Sequence, residues 1–422
     1  MRGIGEMMRK NLFYIIIAAI ILLFANSGAS FADEALTPAS AVEIALKNNP
    51  EISAARQKHM ASQAKIPQVV TPEDPMLEYN YDEMRAGVMG YMGKPMRSYA
   101  VSQNMPFPTK LLLRGRIAAR DAKIAYESLK EKERSVASRT KSAYLELWLA
   151  ERSIGISEEA LVLLEQFASS AAARYSVGKS SQQDALKAQV ELAKVKNSTI
   201  ILNQRREIAR ARLNILMNQD PRSKIVIEKD LKAQDIKSSL DELSAMASQK
   251  RPALRAFKYA VEKGRAAYAL AWNEFLPDIS AKYEQMIVDG SGDKWSGMIG
   301  VSVPIWFWEK QASGVREMRA ELEMFKAEYR EMENMALFEV KDAFARVESF
   351  GKLVELFETS FIPQAEQALK ASLTGYEAGQ IDFLNLLDSQ RMLLDIKLDY
   401  YKMIVDREMA KAELEQAVGA DL

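Results

Sequence analysis

Two hydrophobic periods divide the chain between them. Over most of its length apolar residues recur with the spacing of packed helices. Leu129, Val136, Ala143 and Ala150 repeat every seven residues, and Leu322, Phe325, Tyr329, Met332 and Ala336 step alternately by three and four. Ala343, Val347, Phe350, Val354, Phe357 and Phe361 carry the second stripe onward. A sustained stripe of that period means helix-on-helix packing along a supercoil. Four short segments instead alternate with period two, the pattern of a strand with unlike faces. In 77–82, Leu77, Tyr79 and Tyr81 oppose Glu78, Asn80 and Asp82; in 98–105, Tyr99, Val101 and Met105 oppose Ser98, Ala100, Ser102 and Asn104. In 278–284, Ile279, Ala281 and Tyr283 oppose Asp278, Ser280, Lys282 and Glu284; in 295–303, Trp295, Ile299, Val301 and Val303 oppose Ser296, Gly300 and Ser302.

Proline punctuates the switch between the two periods. It cannot donate to a ladder but is accepted at a helix start, so Pro106, Pro108 and Pro304 mark strand-to-helix junctions. Beyond them, 109–174 and 310–375 hold no proline except Pro363. About 66 residues at 1.5 Å each make a rod of roughly 100 Å, which no globular core can house. The returning helices, 181–218 and 382–418, are about half as long and must stack on the helical stretches 40–65 and 240–274 to match the rods.

The landmarks recur in order. Asn49-Pro50-Glu51-Ile52 is echoed by Arg251-Pro252-Ala253-Leu254, and Pro75 and Met84 by Pro277 and Met286, all at an offset of 202. The run from Val101 to Pro106 is answered by Gly300 to Pro304. Tyr175 and Gly178 return as Tyr376 and Gly379, and Leu186 and Gln189 as Leu387 and Gln390, at an offset of 201. The expected organisation is therefore one unit used twice. Residues 33–220 comprise a helix, a hairpin (about 75–106), a long helix (about 109–175) and a helix (about 181–218). Residues 221–422 repeat the order with a hairpin (about 277–304), a long helix (about 310–375) and a helix (about 381–418).

The first residues stand apart. Arg2, Arg9 and Lys10 precede thirteen apolar residues, 12–24, and Ser30-Phe31-Ala32 ends the segment. That is the pattern of a secretory signal peptide, 1–32, too short to span a bilayer. No cysteine is present, which excludes disulfides, thiolate metal sites, a cysteine nucleophile and a lipid-modified cysteine. The single histidine, His59, leaves no multi-histidine metal site and no spare base for a catalytic triad. Fifty-seven basic and 57 acidic residues cancel, so no field favours nucleic acid. Gly178-Lys179-Ser180 lacks the first glycine and the preceding strand of a phosphate loop. No enzyme and no cofactor is expected.

The strands carry the clearest functional signal. Each approaches the ~9–11 residues a tilted strand needs to cross a bilayer. Tyr99, Phe107, Trp295, Trp306 and Trp308 cluster near strand ends, where aromatic girdles sit. The polar faces offer Glu78, Asp82, Asp278, Lys282 and Glu284 as candidate lumen residues, with acids in excess. Four strands cannot close a membrane barrel, whereas three chains sharing twelve can.

The duplicated order of helix, hairpin, long helix and helix, with Asn48-Asn49-Pro50 and the two Tyr-x-x-Gly turns, resembles the TolC-type outer-membrane factors over essentially the whole mature chain. The resemblance implies a mainly α fold: antiparallel coiled coils forming a trimeric α-barrel in the periplasm, with four strands per subunit building a twelve-stranded barrel in the outer membrane. It implies a passive efflux duct, a homotrimer in outer-membrane lipid that docks to a periplasmic adaptor and an inner-membrane RND pump. Pro72-Glu-Asp-Pro75-Met76-Leu77 and Ser102-Gln-Asn-Met-Pro106-Phe-Pro108-x-Lys110 look most like members paired with heavy-metal pumps of the Cus and Czc kind. Drug efflux or protein secretion through the same duct is the alternative. A periplasmic adaptor is the rival of another class, but it carries one hairpin and no bilayer-length strands.

The resemblance also places a gate at the Tyr-x-x-Gly end. Tyr376 matches the tyrosine that holds the tunnel shut, and Asp184 its aspartate partner; Tyr175, Gly178 and Gly379 complete the turns. Of the two aspartates that ring the entrance, Asp388 is present and Asn385 replaces the other. Ile381 stands where the family has an arginine, and Asp382 in the same turn is the candidate to compensate. Six methionines fall between Met76 and Met105. Thioethers suit soft cations, so Met89, Met92 and Met96 are candidate metal ligands.

Overall fold

A computed structural model describes residues 35–82, 96–178, 180–231, 236–288 and 292–422. The expected signal peptide and the link containing Met89 and Met92 lie outside them. The element order is α1 (Pro38–Asn48), α2 (Pro50–Val70), β1 (Met76–Asp82), β2 (Met96–Met105), α3 (Pro108–Ser176) and α4 (Gln182–Leu216). It continues with α5 (Leu240–Lys250), α6 (Pro252–Asn273), β3 (Asp278–Val288), β4 (Gly292–Ser302), α7 (Lys310–Leu356), a π-helical turn (Phe357–Phe361), α8 (Ile362–Glu377) and α9 (Phe383–Val418). Among the described residues no helix is long and apolar enough to cross a membrane.

The helices form one elongated bundle built along α3. Its 69 residues correspond to a rod of about 100 Å. A helix of that length is held by lateral packing rather than by propensity. One end of α3 packs against α2 and α6, its middle against α1, and its other end against α4 and α9. The heptad residues Leu129, Val136, Ala143 and Ala150 are all buried along it. At mid-length a short parallel bridge, Leu36 to Ile227, crosses the rod. It is fixed by Tyr144, whose hydroxyl donates to the Leu36 carbonyl at 2.9 Å, and by Trp148, whose ring N–H donates to the Lys229 carbonyl at 3.0 Å. Burial pushes the Tyr144 phenol up to about 12.

Two features depart from the periodicity. The stretches read as single helices, 40–65 and 240–274, are each broken in two, at Asn49 and Arg251, both in extended backbone conformation before a proline. The residue before proline is driven out of the α region. The breaks meet the ends of the returning helices. The Asn49 side-chain amide donates to the Leu216 carbonyl at 2.9 Å, and a Cβ added to Gly419 would stand 2.8 Å from the Arg251 Cα. The second rod is not one α-helix either. Pro363 has no N–H to give, and just ahead of it the Ile362 N–H reaches back five residues to the Phe357 carbonyl, which makes the π turn.

The strands form one antiparallel sheet in chain order, β1-β2-β3-β4. Direct partners share a face, so the register sorts the side chains. Glu78, Ala100, Glu284 and Ser296 lie in one row, and Tyr79, Tyr99, Gln285 and Trp295 in the next row on the opposite face. β1 and β4 each have one edge without a partner among the described residues.

Candidate functional site

Two ends of the molecule carry unusual chemistry. At the sheet end, the face holding Leu77, Tyr79, Val101, Ile279, Tyr283, Ile299 and Val301 is apolar and exposed; Ile299 is 81% accessible. Two aromatic bands frame it. Tyr79, Tyr99 and Trp295 occupy a row toward the hairpin tips, with the tyrosine rings 5.2 Å apart. Beyond the other ends of the strands, Trp306, Phe307 and Trp308 pack edge to face with ring centroids 5.1–5.7 Å apart. From Trp295 to Ser302 the strand rises roughly 23 Å at ~3.3 Å per residue, close to the apolar band height of ~25 Å in outer-membrane barrels.

The opposite face is polar, but less acidic than its residue types suggest. Lys282 reaches across Ala100 to Glu78, Nζ to Oε2 at 2.9 Å. Asp278, expected on the lumen, is engaged at the junction with α3. Its Oδ1 accepts from the Phe107 N–H and from the Lys110 Nζ, both at 2.9 Å. Lys110 is 2% exposed and also pairs with Glu274 at 3.4 Å. A buried charge must be partnered, so the strand end captured Asp278 because Lys110 sits there. Glu284 stays on the polar face, in the row of Glu78. At the end of β1, Asp82 pairs with Met96 in the register. Met76, Met96, Met286 and Met298 share the polar face as well. Phe107 is half-buried at the start of α3 rather than in an exposed band.

At the far end, the α3–α4 and α8–α9 hairpins close side by side. Both turns end in a glycine at φ +72°, a conformation that favours glycine. Tyr376 is only 6% exposed, packed among Leu164, Phe167, Phe383, Leu386 and Leu387. Burial raises its phenol above the ordinary range, with Arg174 acting in the opposite sense, so it stays neutral. No partner meets hydrogen-bond geometry with its hydroxyl, although Ser180 and the Asp184 charge lie near enough to act on the phenol.

The expected tyrosine–aspartate pair is not formed. Asp184 is the third residue of a capping box at the start of α4, where its carboxylate accepts from Ser181 N–H at 3.2 Å and Ser180 Oγ–H at 2.9 Å. One of its oxygens satisfies the N-cap N–H of its own helix and the Ser180 hydroxyl together. Asp382 is used likewise, as the N-cap of α9, accepting from the Asn385 N–H at 3.0 Å. Asp388 pairs with Arg391 at 3.4 Å.

Beside the apolar cluster that both hairpins share, three residues that patterning missed make polar contacts between them. Arg174 donates to the Tyr376 carbonyl at 3.0 Å and the Glu377 carbonyl at 2.9 Å, and its guanidinium lies 4.6 Å from the Tyr376 ring centroid. Arg391 of α9 reaches Glu191 of α4 at 2.6 Å. A lone arginine in the last turn of a helix was the available signal, since helix C-termini attract cations; its target on another helix was not visible. Among the described residues no group of three or more His, Asp or Glu side chains is placed to hold a metal ion.

A strand sheet with an apolar face between aromatic bands, set on rods about 100 Å long, defines an outer-membrane export channel with a periplasmic helical body. The chain belongs to the outer membrane efflux protein family, whose model matches residues 41–219 and 243–420. It is a transport duct, not an enzyme. The cobalt-zinc-cadmium resistance protein CzcC of Cupriavidus metallidurans is 20% identical over 386 residues, covering 91% of this chain and 90% of that one. Among solved structures, the outer-membrane channel OprN superposes with a TM-score of 0.79 at 19% identity, over 91% of this chain and 90% of its own. CusC does so with a TM-score of 0.79 at 16% identity, over 91% and 92%.

Proposed function

We propose that three copies of this chain close a twelve-stranded barrel in outer-membrane lipid, continued into the periplasm by a shared helical tunnel, and that this duct passively exports metal cations. The sheet carries the reading. It has an apolar face suited to lipid and two open edges among the described residues. Open edges do not persist in hydrocarbon, where each unpaired backbone group costs several kcal/mol. Edge pairing of β4 with a neighbour's β1 removes them. Each chain, after removal of a signal peptide at 1–32, contributes two copies of one unit, 33–220 and 221–422. A periplasmic adaptor and an inner-membrane RND pump feed the duct, and the turns around Gly178 and Gly379 form its gate. The metal cargo is supported by the likeness to CzcC.

The natural absence of cysteine makes cross-linking clean. A cysteine fixed at Leu77 on β1 and single cysteines scanned along β4 should give a covalent trimer at one register, in outer-membrane fractions. A chain that stays monomeric and water-soluble overturns the reading. For cargo, a strain lacking its own duct should recover cobalt, zinc and cadmium tolerance with this chain and a matched pump; recovery of drug tolerance alone redirects the substrate to small organic molecules.

A further inference from the structure

We infer that Arg174 is the latch of the gate, and that its release from the end of α8, rather than the breaking of a Tyr376–Asp184 pair, frees one hairpin from the other. The inference rests on the gate reading of this end of the molecule. Arg174 belongs to the first hairpin, and everything it binds belongs to the second. Two N–H groups go to the carbonyls of Tyr376 and Glu377, and the guanidinium plane covers the ring that those carbonyls flank. The last carbonyls of a helix have no intrahelical donor and mark its negative end. The Tyr376 carbonyl already accepts from the Gly379 N–H at 3.1 Å, so the planar fork adds a second donor there and one to Glu377, and holds position as well as charge. The carbonyls do not titrate, so the latch works at any periplasmic pH.

The latch runs one way only. At the repeat offset of 201 the counterpart of Arg174 is Gly375, which has no side chain to return the contact. Ile381 fills that space, its Cγ1 3.4 Å from where a Cβ on Gly375 would stand. The position where the resemblance expects an arginine thus serves as an apolar plug in the cluster around Tyr376. The cation that ties the hairpins comes instead from the opposite hairpin. Arg391 to Glu191 adds a second tether on the neighbouring face, between side chains that are partly solvated.

Purified trimers in planar bilayers test this. Arg174→Ala is expected to raise mean single-channel conductance by about twofold or more, and Arg174→Lys, which keeps the charge but not the fork, to raise it by a smaller factor. Asp184→Asn, which preserves the helix cap, should leave conductance at the wild-type value. Assembly of each variant is checked by its heat-modifiable trimer band. Conductance that rises in Asp184→Asn or Tyr376→Phe but not in either Arg174 variant removes the latch and leaves the gate. Conductance unchanged in every variant of an ion-conducting trimer removes the gate reading itself. Full closure by Arg174→Lys also counts against the latch, because charge alone would then suffice.

Discussion

The two tips of the molecule share a spelling and a backbone yet differ in what they bury. Each is Tyr-x-x-Gly, each glycine sits at φ +72°, and each glycine N–H returns to the tyrosine carbonyl, at 2.9 Å in the first and 3.1 Å in the second. Tyr175 is nevertheless 47% exposed while Tyr376 is 6% exposed. The cause lies beside the motif. Phe383 stands 5.4 Å from the Tyr376 ring, Ile381 fills the space left by Gly375, and Arg174 closes the top. The glycine fixes the path of the chain; the neighbours decide which tyrosine is interior. A turn motif therefore locates the end of a hairpin without saying what that end does.

The largest expected effect separates the tyrosines. Tyr376→Ala removes a buried aromatic from the cluster and should destabilise the tip by about 3–5 kcal/mol, as large-to-small changes of aromatic residues do. Tyr175→Ala, on the surface, should stay within about 0.5 kcal/mol. Local opening at the tip is read by the rate of limited proteolysis, which tracks the population of the opened state when reclosing is fast. Comparable rates for the two variants would mean that the tyrosines are equivalent in solution, and the comparison would collapse.

A smaller effect should be shared. No heavy atom lies within 4 Å of a Cβ built on Gly178 or Gly379, so alanine meets no clash at either and the cost is backbone strain alone, about 1–2 kcal/mol. Gly178→Ala and Gly379→Ala should thus accelerate proteolysis of their own turns to the same degree. A clear inequality would show that the two turns differ in backbone as well as in surroundings.

Much of the architecture was legible because it follows from periodicity. The heptad stripe through Leu129, Val136 and Ala143 marks a buried helix face, and the alternation through Leu77, Tyr79 and Tyr81 marks the exposed apolar face of a strand. Both depend on neighbours along the chain. The breaks at Asn49 and Arg251 were signalled by Pro50 and Pro252, yet a strong helical pattern on both sides masked them. The site was less legible because its contacts are long-range. Asp184 has the right type and position to face a tyrosine, but Ser181 three residues earlier offers it a helix cap first. Asp278 has the right alternation for a lumen, but Lys110, far away in sequence, takes it. Local chemistry and distant charge outbid a pattern match in each case.

The smallest expected effect tests the second tether between the hairpins and carries a pH signature that the Arg174 contact lacks. Burial alone would raise the Glu191 carboxyl, but hydrogen bonds from Lys194 and Arg391 outweigh it and hold the group below the ordinary glutamate range. A carboxylate whose folded pKa is depressed contributes stability that is complete above its unfolded pKa, 4.5 for glutamate, and lost as pH falls through the lower folded value. Tip proteolysis should accordingly be flat from neutral pH down to about 4.5 and accelerate as pH falls from there through the lower folded value. Arg391 is 45% exposed, so solvent screening limits the tether to less than about 1 kcal/mol. Glu191→Gln should weaken the tip slightly at neutral pH and reduce its acid sensitivity. Arg174→Ala, which severs contacts to carbonyls, should weaken the tip at every pH and leave the acid step in place. An acid step that survives intact in Glu191→Gln would assign it to another carboxylate, and the two tethers would no longer be distinguishable by pH.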